Sequence, residues 1–167
     1  LGITKAYTTR VGNGPFPSEE KGQFGELLAK KGKEFGTVTG RKRRCGWFDA
    51  VLLKQAIKIS GISGLALTKL DILDNFDQIK LCIGYKIDNK EIDYFPSNEQ
   101  EQKKIKPIYK TLSGWVSNTY GLTQYEKLPN KAKLFLKEIE KLVDCKIVII
   151  STGPARDHTI ILKNLFN

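Results

Sequence analysis

The sequence predicts an α/β protein: a mixed sheet with flanking helices and an inserted antiparallel hairpin. Three observations lead there. The apolar runs ISGLALT (62–68) and KIVII (146–150) read as buried strands. Stretches of helical spacing alternate with them. IKLCIGYKI (79–87) and EIDYF (91–95) flank a short Asp-Asn-Lys turn and read as a hairpin. Strands alternating with helices define the class.

In chain order, Ile3, Ala6 and Tyr7 suit a first strand, which runs into VGNGPFPSE. Two Gly and two Pro within seven residues there signal a turn. Ser18 with Glu19 and Glu20 looks like a helix start, with carboxylates at the positive end of the helix dipole. A helix over about 26–31 then ends at Gly32, and a Gly-bounded basic loop fills 36–47. Asp49 caps a second helix whose apolar residues are Val51, Leu52, Ala56, Ile57 and Ile59, and which stops near Ser60-Gly61. Residues 99–106 are polar and read as a surface helix or loop, and 108–112 as a short further piece. Pro129 fits the first turn of a helix to about Val143, with Leu134, Phe135, Ile139 and Leu142 on or beside its apolar face. A last strand covers 159–162.

The chain has 167 residues, a length that can bury a core. No apolar run reaches the ~18 residues of a membrane helix, and LGITKAYTTR lacks the apolar stretch of a signal peptide. Met is absent even at position 1, so the chain is expected to be a processed product or a piece of something longer. Lys plus Arg is 28 against 18 for Asp plus Glu, a formal charge of +10 that points to an anionic partner. Cys45, Cys82 and Cys145 are odd in number and widely spaced, as in reduced, cytoplasmic proteins. His158 is the only histidine, which excludes multi-His metal chemistry within the chain and suits a surface position.

Three constellations carry candidate chemistry. TVTGRKRR places four basic residues, 41–44, after a small, hydroxyl-bearing loop. Guanidinium forks match carboxylates and phosphates; a bare run of this kind is otherwise a solvated loop or a nucleic-acid-binding patch, and Gly36 before it and Cys45-Gly46-Trp47 after it count against that. TKLD (68–71) follows an apolar strand. Its Asp can accept from guanine N1–H and the 2-amino group while the Lys stem covers the base; a Lys and an Asp at a strand exit are otherwise plain surface charge. STGP (151–154) follows KIVII. Small residues at a strand's carboxyl end suit the ligand crevice of an α/β sheet, or a simple turn.

VGNGPFPSE, GTVTGRKRRCGWFD, SGLALTKLDILD, KLCIGYKI, SGW, LP and ISTGPARDHTII together closely resemble the C-terminal part of adenylosuccinate synthetase. The resemblance covers nearly the whole chain, 1–167. It implies a larger P-loop-like enzyme built around one large central sheet, GTP-dependent joining of IMP and L-aspartate, a requirement for Mg2+, a homodimer, and a cytoplasmic location. By resemblance, Thr37, Val38, Thr39, Gly40, Arg41, Lys42 and Arg43 form the loop that closes over aspartate. Arg41 also reaches IMP, and Arg43 joins the GTP site. Lys69, Leu70 and Asp71, with Ser151, Thr152 and Gly153, would hold the guanine base.

Two departures stand out. Val38 occupies a position where the family often has Thr. The family's Gly-rich phosphate loop, GDEGKGK, is not in these residues, and the catalytic Asp and His and the Mg2+ ligands belong with it. No catalytic or metal residue is therefore expected here, and the fragment alone is expected to be inactive. The rival expectation is a stand-alone basic module that binds nucleic acid, which would explain the charge and RKRR. Aromatic RNA-binding signatures and zinc-finger spacings are absent from the sequence.

Overall fold

A computed structural model describes residues 1–38 and 40–163. In chain order the elements are β1 (Gly2–Lys5), β2 (Thr8–Arg10), α1 (Gln23–Lys31), β3 (Arg44–Gly46), β4 (Phe48–Asp49), α2 (Ala50–Ser60), β5 (Leu65–Thr68), β6 (Gln78–Ile87), β7 (Lys90–Ile92), α3 (Glu99–Lys104), β8 (Lys106–Ser113), α4 (Asn130–Val143), β9 (Ile147–Ser151) and β10 (Thr159–Ile161). Short 3-10 turns lie at Leu70–Leu73 and Tyr125–Lys127. The chain forms two units. One takes residues 1–6, 56–79 and the chain from Leu112 onward; the other takes 7–55 and 80–111.

The first unit holds a four-stranded mixed sheet, ordered β1-β5-β9-β10. β1, β5 and β9 run parallel, with Thr4 opposite Leu67 and Leu67 opposite Ile150. β10 returns antiparallel to β9. Leu65, Leu67, Val148 and Ile150 are buried, because a parallel strand is covered on both faces. In α4, Ala132, Phe135, Leu136, Ile139 and Val143 are buried. Their spacing of three and four residues makes one stripe, and Phe135 packs on Trp115 with ring centroids 5.8 Å apart. Each such large side chain contributes about 1.5–3 kcal/mol by leaving water.

The second unit contains the antiparallel pair β2-β3 and a sheet of β4, β6, β7 and β8. Asp49 caps α2 as its position predicts: Oδ1 accepts from Val51 N–H and Leu52 N–H, both at 3.1 Å. Its Oδ2 accepts from the Tyr85 hydroxyl at 2.8 Å. Val51, Cys82 and Tyr85 form a small core with Phe95, Ile105 and Tyr109 packed against it. The β6–β7 hairpin turns at Asp88 and Asn89, both with positive φ (45° and 71°), the geometry that matches strand twist in a two-residue turn.

The mixed α/β class is as expected, with the hairpin in the sheet of β4, β6, β7 and β8 rather than in the β1-β5-β9-β10 sheet. Other elements differ from the sequence reading. Ser18 does not start a helix. α1 begins at Gln23 behind Gly22, and the buried Ser18 Oγ has no hydrogen-bond partner. The reason is that 18–20 is tied to the segment 45–47: Trp47 N–H donates to Ser18 O at 3.0 Å and Glu20 N–H to Cys45 O at 3.0 Å. The expected 36–47 loop is shorter, since β3 starts at Arg44. Pro129 is the cap residue just before α4 rather than its first turn. Leu134 is 62% exposed, as it lies off the 132/135/136/139 stripe, and Ala56 and Ile59 of α2 are exposed as well. No helix among the described residues is long and apolar enough to cross a membrane.

Candidate functional site

Parallel pairing decides where the first candidate site lies. β5 and β9 are neighbours running the same way, so 68–71 and 151–153 leave the sheet at the same edge. That is the edge where open α/β sheets bind ligands. Lys69 begins the 70–73 turn in the left-handed conformation (φ 61°, ψ 37°), uncommon for a residue with a side chain. This tight exit lets Leu70 enter the core, fully buried, while Asp71 stays half-buried. One Asp71 carboxylate oxygen, Oδ1, is buried with no hydrogen-bond partner. Burial pushes the Asp71 carboxyl above the ordinary carboxylate range. Its own backbone N–H opposes this, Asp74 adds to it, and Lys69 and His158 pull the other way.

The 151–158 turn faces inward on itself. Ser151 Oγ donates to Gly153 O at 3.0 Å. Thr152 is fully buried; its hydroxyl donates to Leu122 O at 2.8 Å and lies 3.3 Å from His158 O. Thr152 N–H donates to the His158 carbonyl at 3.0 Å. The side chains of Thr152 and Leu70, both expected at the base, thus serve the scaffold. Gly153 is required by close approach: a Cβ there would collide with the His158 ring at Nδ1.

His158 is not the surface residue the sequence suggested. It is half-buried, stands edge-on to Tyr120 at 4.9 Å between centroids, and its Nδ1 is buried without a partner. Its polar neighbours in sequence, Arg156 and Asp157, gave no sign of this, because the contact is made by the turn closing on itself.

The second candidate site is the basic loop. Phe35 and Lys42 form an isolated antiparallel bridge, and Arg43 N–H donates to Glu34 O at 2.9 Å. Inside that bridge, Gly36 N–H donates to Arg41 O and Gly40 N–H to Gly36 O, each at 2.8 Å. Gly40 makes the turn with φ +61°. Thr37 and Val38 stand at the exposed tip, Val38 at 96% exposure. Thr39 lies outside the described residues.

The four basic residues divide. Arg44 is bound on several sides: Nε and Nη2 reach Glu19 at 2.8 and 2.7 Å, and Nη1 reaches the Gly12 and Gly14 carbonyls at 2.9 and 2.7 Å. The hydrogen bond from Arg44, opposed by partial burial, holds the Glu19 carboxyl below its ordinary value. Arg43 Nη1 meets Oε2 of the fully buried Glu34 at 3.1 Å, and Tyr7 donates to the same carboxylate at 2.6 Å. Lys42 pairs with Glu26. Arg41 is exposed. A small pocket of about 80 Å³ is bordered by Arg10, Arg41, Lys42, Arg43 and Arg44. Arg10 was not foreseen, since a lone Arg after Thr-Thr carries no signal until β2 pairs with β3 and sets it opposite Arg44. Among the described residues, no group of three His, Cys, Asp or Glu could hold a metal ion.

The fold is α/β, with 68–71 and 151–153 at the same end of two neighbouring parallel strands and a Gly-turned basic loop elsewhere in the chain. The sequence model of the adenylosuccinate synthetase family matches residues 1–160, and this chain belongs to that family. A solved structure of fully ligated adenylosuccinate synthetase from Plasmodium falciparum resembles it at a TM-score of 0.92 and 36% identity, over 96% of this chain. The chain spans 39% of the length of that relative.

Proposed function

We propose that residues 1–167 are the C-terminal portion of an adenylosuccinate synthetase, supplying its guanine-base site and its aspartate loop. The whole enzyme is a GTP-dependent carbon–nitrogen ligase. GTP phosphorylates the 6-oxygen of IMP, the aspartate amine displaces that phosphate, and adenylosuccinate, GDP and phosphate leave. The observation that carries the reading is the Asp71 oxygen buried without a partner, at the sheet edge that 68–71 shares with Ser151–Gly153. A buried, unsatisfied acceptor is costly, and the paired donors of guanine would relieve it.

In this reading Asp71 accepts from N1–H and the 2-amino group, and the Lys69 stem covers the base. Thr152 N–H is already committed, which leaves Gly153 N–H as the donor for O6. Arg41 contacts aspartate and IMP, and Thr37, Val38, Thr39 and Gly40 form the closing tip. Arg43 completes the GTP site, and Lys42 adds charge to the loop. Phosphoryl transfer depends mainly on positioning and charge stabilisation. By the family resemblance, the Mg2+ ligands and the catalytic acid and base are assigned to the part of the enzyme outside this chain. The fragment by itself is then inactive, and the full enzyme is a homodimer.

A nucleic-acid role is disfavoured because Lys42 pairs with Glu26 and Arg44 is bound by Glu19 and the Gly12 and Gly14 carbonyls. Carboxylates beside the cations oppose a phosphate backbone. The test is Asp71→Asn in the full-length protein. An amide can donate to the 2-oxo group of xanthine, so GTP use falls, by roughly 10- to 100-fold for a charged hydrogen bond, and xanthosine triphosphate use rises. Unchanged nucleotide preference would overturn the assignment.

A further inference from the structure

We propose that Tyr7 and Glu34 are positioning residues for Arg43: a buried relay from the Tyr7 hydroxyl through the Glu34 carboxylate fixes the Arg43 guanidinium in the place from which it serves GTP. This rests on the reading of Arg43 as part of the GTP site and adds the two residues that act through it. Glu34 and Tyr7 are both buried. The carboxylate divides its oxygens. Oε1 accepts from the Tyr7 hydroxyl at 2.6 Å, and Oε2 accepts from Arg43 Nη1 at 3.1 Å. The Arg43 side chain is 35% exposed, so one end of the relay is buried and the other reaches the surface. Its Nε is buried without a hydrogen-bond partner, which leaves the orientation of the guanidinium to Glu34.

A buried carboxylate is costly unless a cation and hydrogen-bond donors compensate it. Moving Arg43 away would strand that charge, so Glu34 holds the guanidinium in place. Tyr7 decides how the carboxylate is turned: by taking Oε1 it leaves Oε2 to Arg43. The backbone fixes both members of the ion pair. Glu34 N–H donates to Ala29 O, and Arg43 N–H donates to Glu34 O, each at 2.9 Å. Residues 34 and 43 are thus the stem of the basic loop, and their side chains bridge it. Gly32 makes room for the hydroxyl, since a Cβ there would collide with Tyr7 Oη and lie 3.1 Å from Cζ. The Gly32 backbone is right-handed (φ −76°, ψ −4°), so clearance rather than conformational freedom calls for glycine.

The experiment is steady-state kinetics of the full-length enzyme, with GTP varied at saturating IMP and aspartate. Wild type, Tyr7→Phe, Arg43→Gln and the double variant are compared at a temperature where melting curves show all four folded. Arg43→Gln keeps a donor near Glu34 but loses the cation, and it should raise the GTP KM at least about tenfold. Tyr7→Phe should raise the GTP KM on the order of threefold, the coupling expected within one hydrogen-bond network. In the Arg43→Gln background the same substitution should add less than about 1.5-fold, because it acts through Arg43. A full threefold effect in that background would overturn the relay. So would a lower kcat at the wild-type GTP KM, because a merely structural hydroxyl changes the amount of active enzyme and not the affinity for one substrate. If Tyr7→Phe does not fold, Glu34→Gln is measured in its place with the same expected outcomes. An unchanged GTP KM in Arg43→Gln would instead refute the GTP assignment of Arg43 itself.

Discussion

Asp74 holds Trp115: its buried carboxylate accepts the indole Nε1–H at 2.5 Å. The same side chain accepts Thr119 N–H at 2.7 Å and the Thr119 hydroxyl at 2.8 Å. One carboxylate thus pins the 115–119 segment to the end of the Leu70–Leu73 turn, which contains Asp71. Asp74→Ala would strand three buried donors. We expect a loss of roughly 3 kcal/mol or more, read as a melting temperature lower by about 6–12 °C. A change under about 2 °C would mean that water or a rearrangement replaces the carboxylate.

Gly153→Ala forces a methyl group against the imidazole of His158. The turn must move, while few core contacts change. We expect guanine-nucleotide affinity to drop at least about tenfold, with an overpacking cost to thermal stability of about 1–3 kcal/mol. Calorimetry with GDP beside a melting curve checks both; unaltered affinity would show that the turn does not contact the base.

The RKRR run should separate by substitution. Arg44→Ala removes bonds to Glu19 and two carbonyls. After allowance for partial exposure it should cost about 1–3 kcal/mol. Arg41→Ala should instead raise the aspartate and IMP KM values or lower kcat in the full-length enzyme. Steady-state kinetics and thermal melts of the two variants decide, and the reverse pattern would contradict the division of roles.

Alkaline pH should destabilise the second unit. Burial pushes the Tyr85 and Tyr109 phenols and the Cys82 thiol up, and the Asp49 charge pushes further in each. A group that keeps its proton only when folded contributes fully below its unfolded pKa, and that contribution is lost as pH rises beyond it. Unfolded thiols titrate near about 8.5 and phenols near about 10, so stability should fall from about pH 8.5 upward. Chemical denaturation between pH 8 and 11 measures this slope. Tyr85→Phe should flatten it, and also cost roughly 1–3 kcal/mol at pH 7 by leaving Asp49 Oδ2 without its donor. An identical slope in the variant would rule Tyr85 out as a contributor.

Much of this was legible because it is local. The Asp49 cap, the β6–β7 turn and the strands over 65–68 and 147–151 depend on near neighbours and on periodicity. Ser18 misled because a capping residue needs a helix directly behind it, and here its segment is claimed by Trp47 and Cys45. Leu134 misled because an apolar residue two positions from a member of the buried stripe still scores as apolar.

The amino-acid sequence by itself determined the α/β class, most elements, the basic loop and the Lys69–Asp71 and Ser151–Gly153 pair. Spacing, turn chemistry and motif order are written along the chain. Only the tertiary structure decided that Arg44 and Glu19 bind each other, that Thr152 faces the interior, that Arg10 borders the basic pocket, and that His158 lies behind Gly153. These depend on contacts between distant residues, and on which of a side chain's possible hydrogen bonds are already taken by the protein. No single segment carries that information, because burial and pairing are properties of the packed chain.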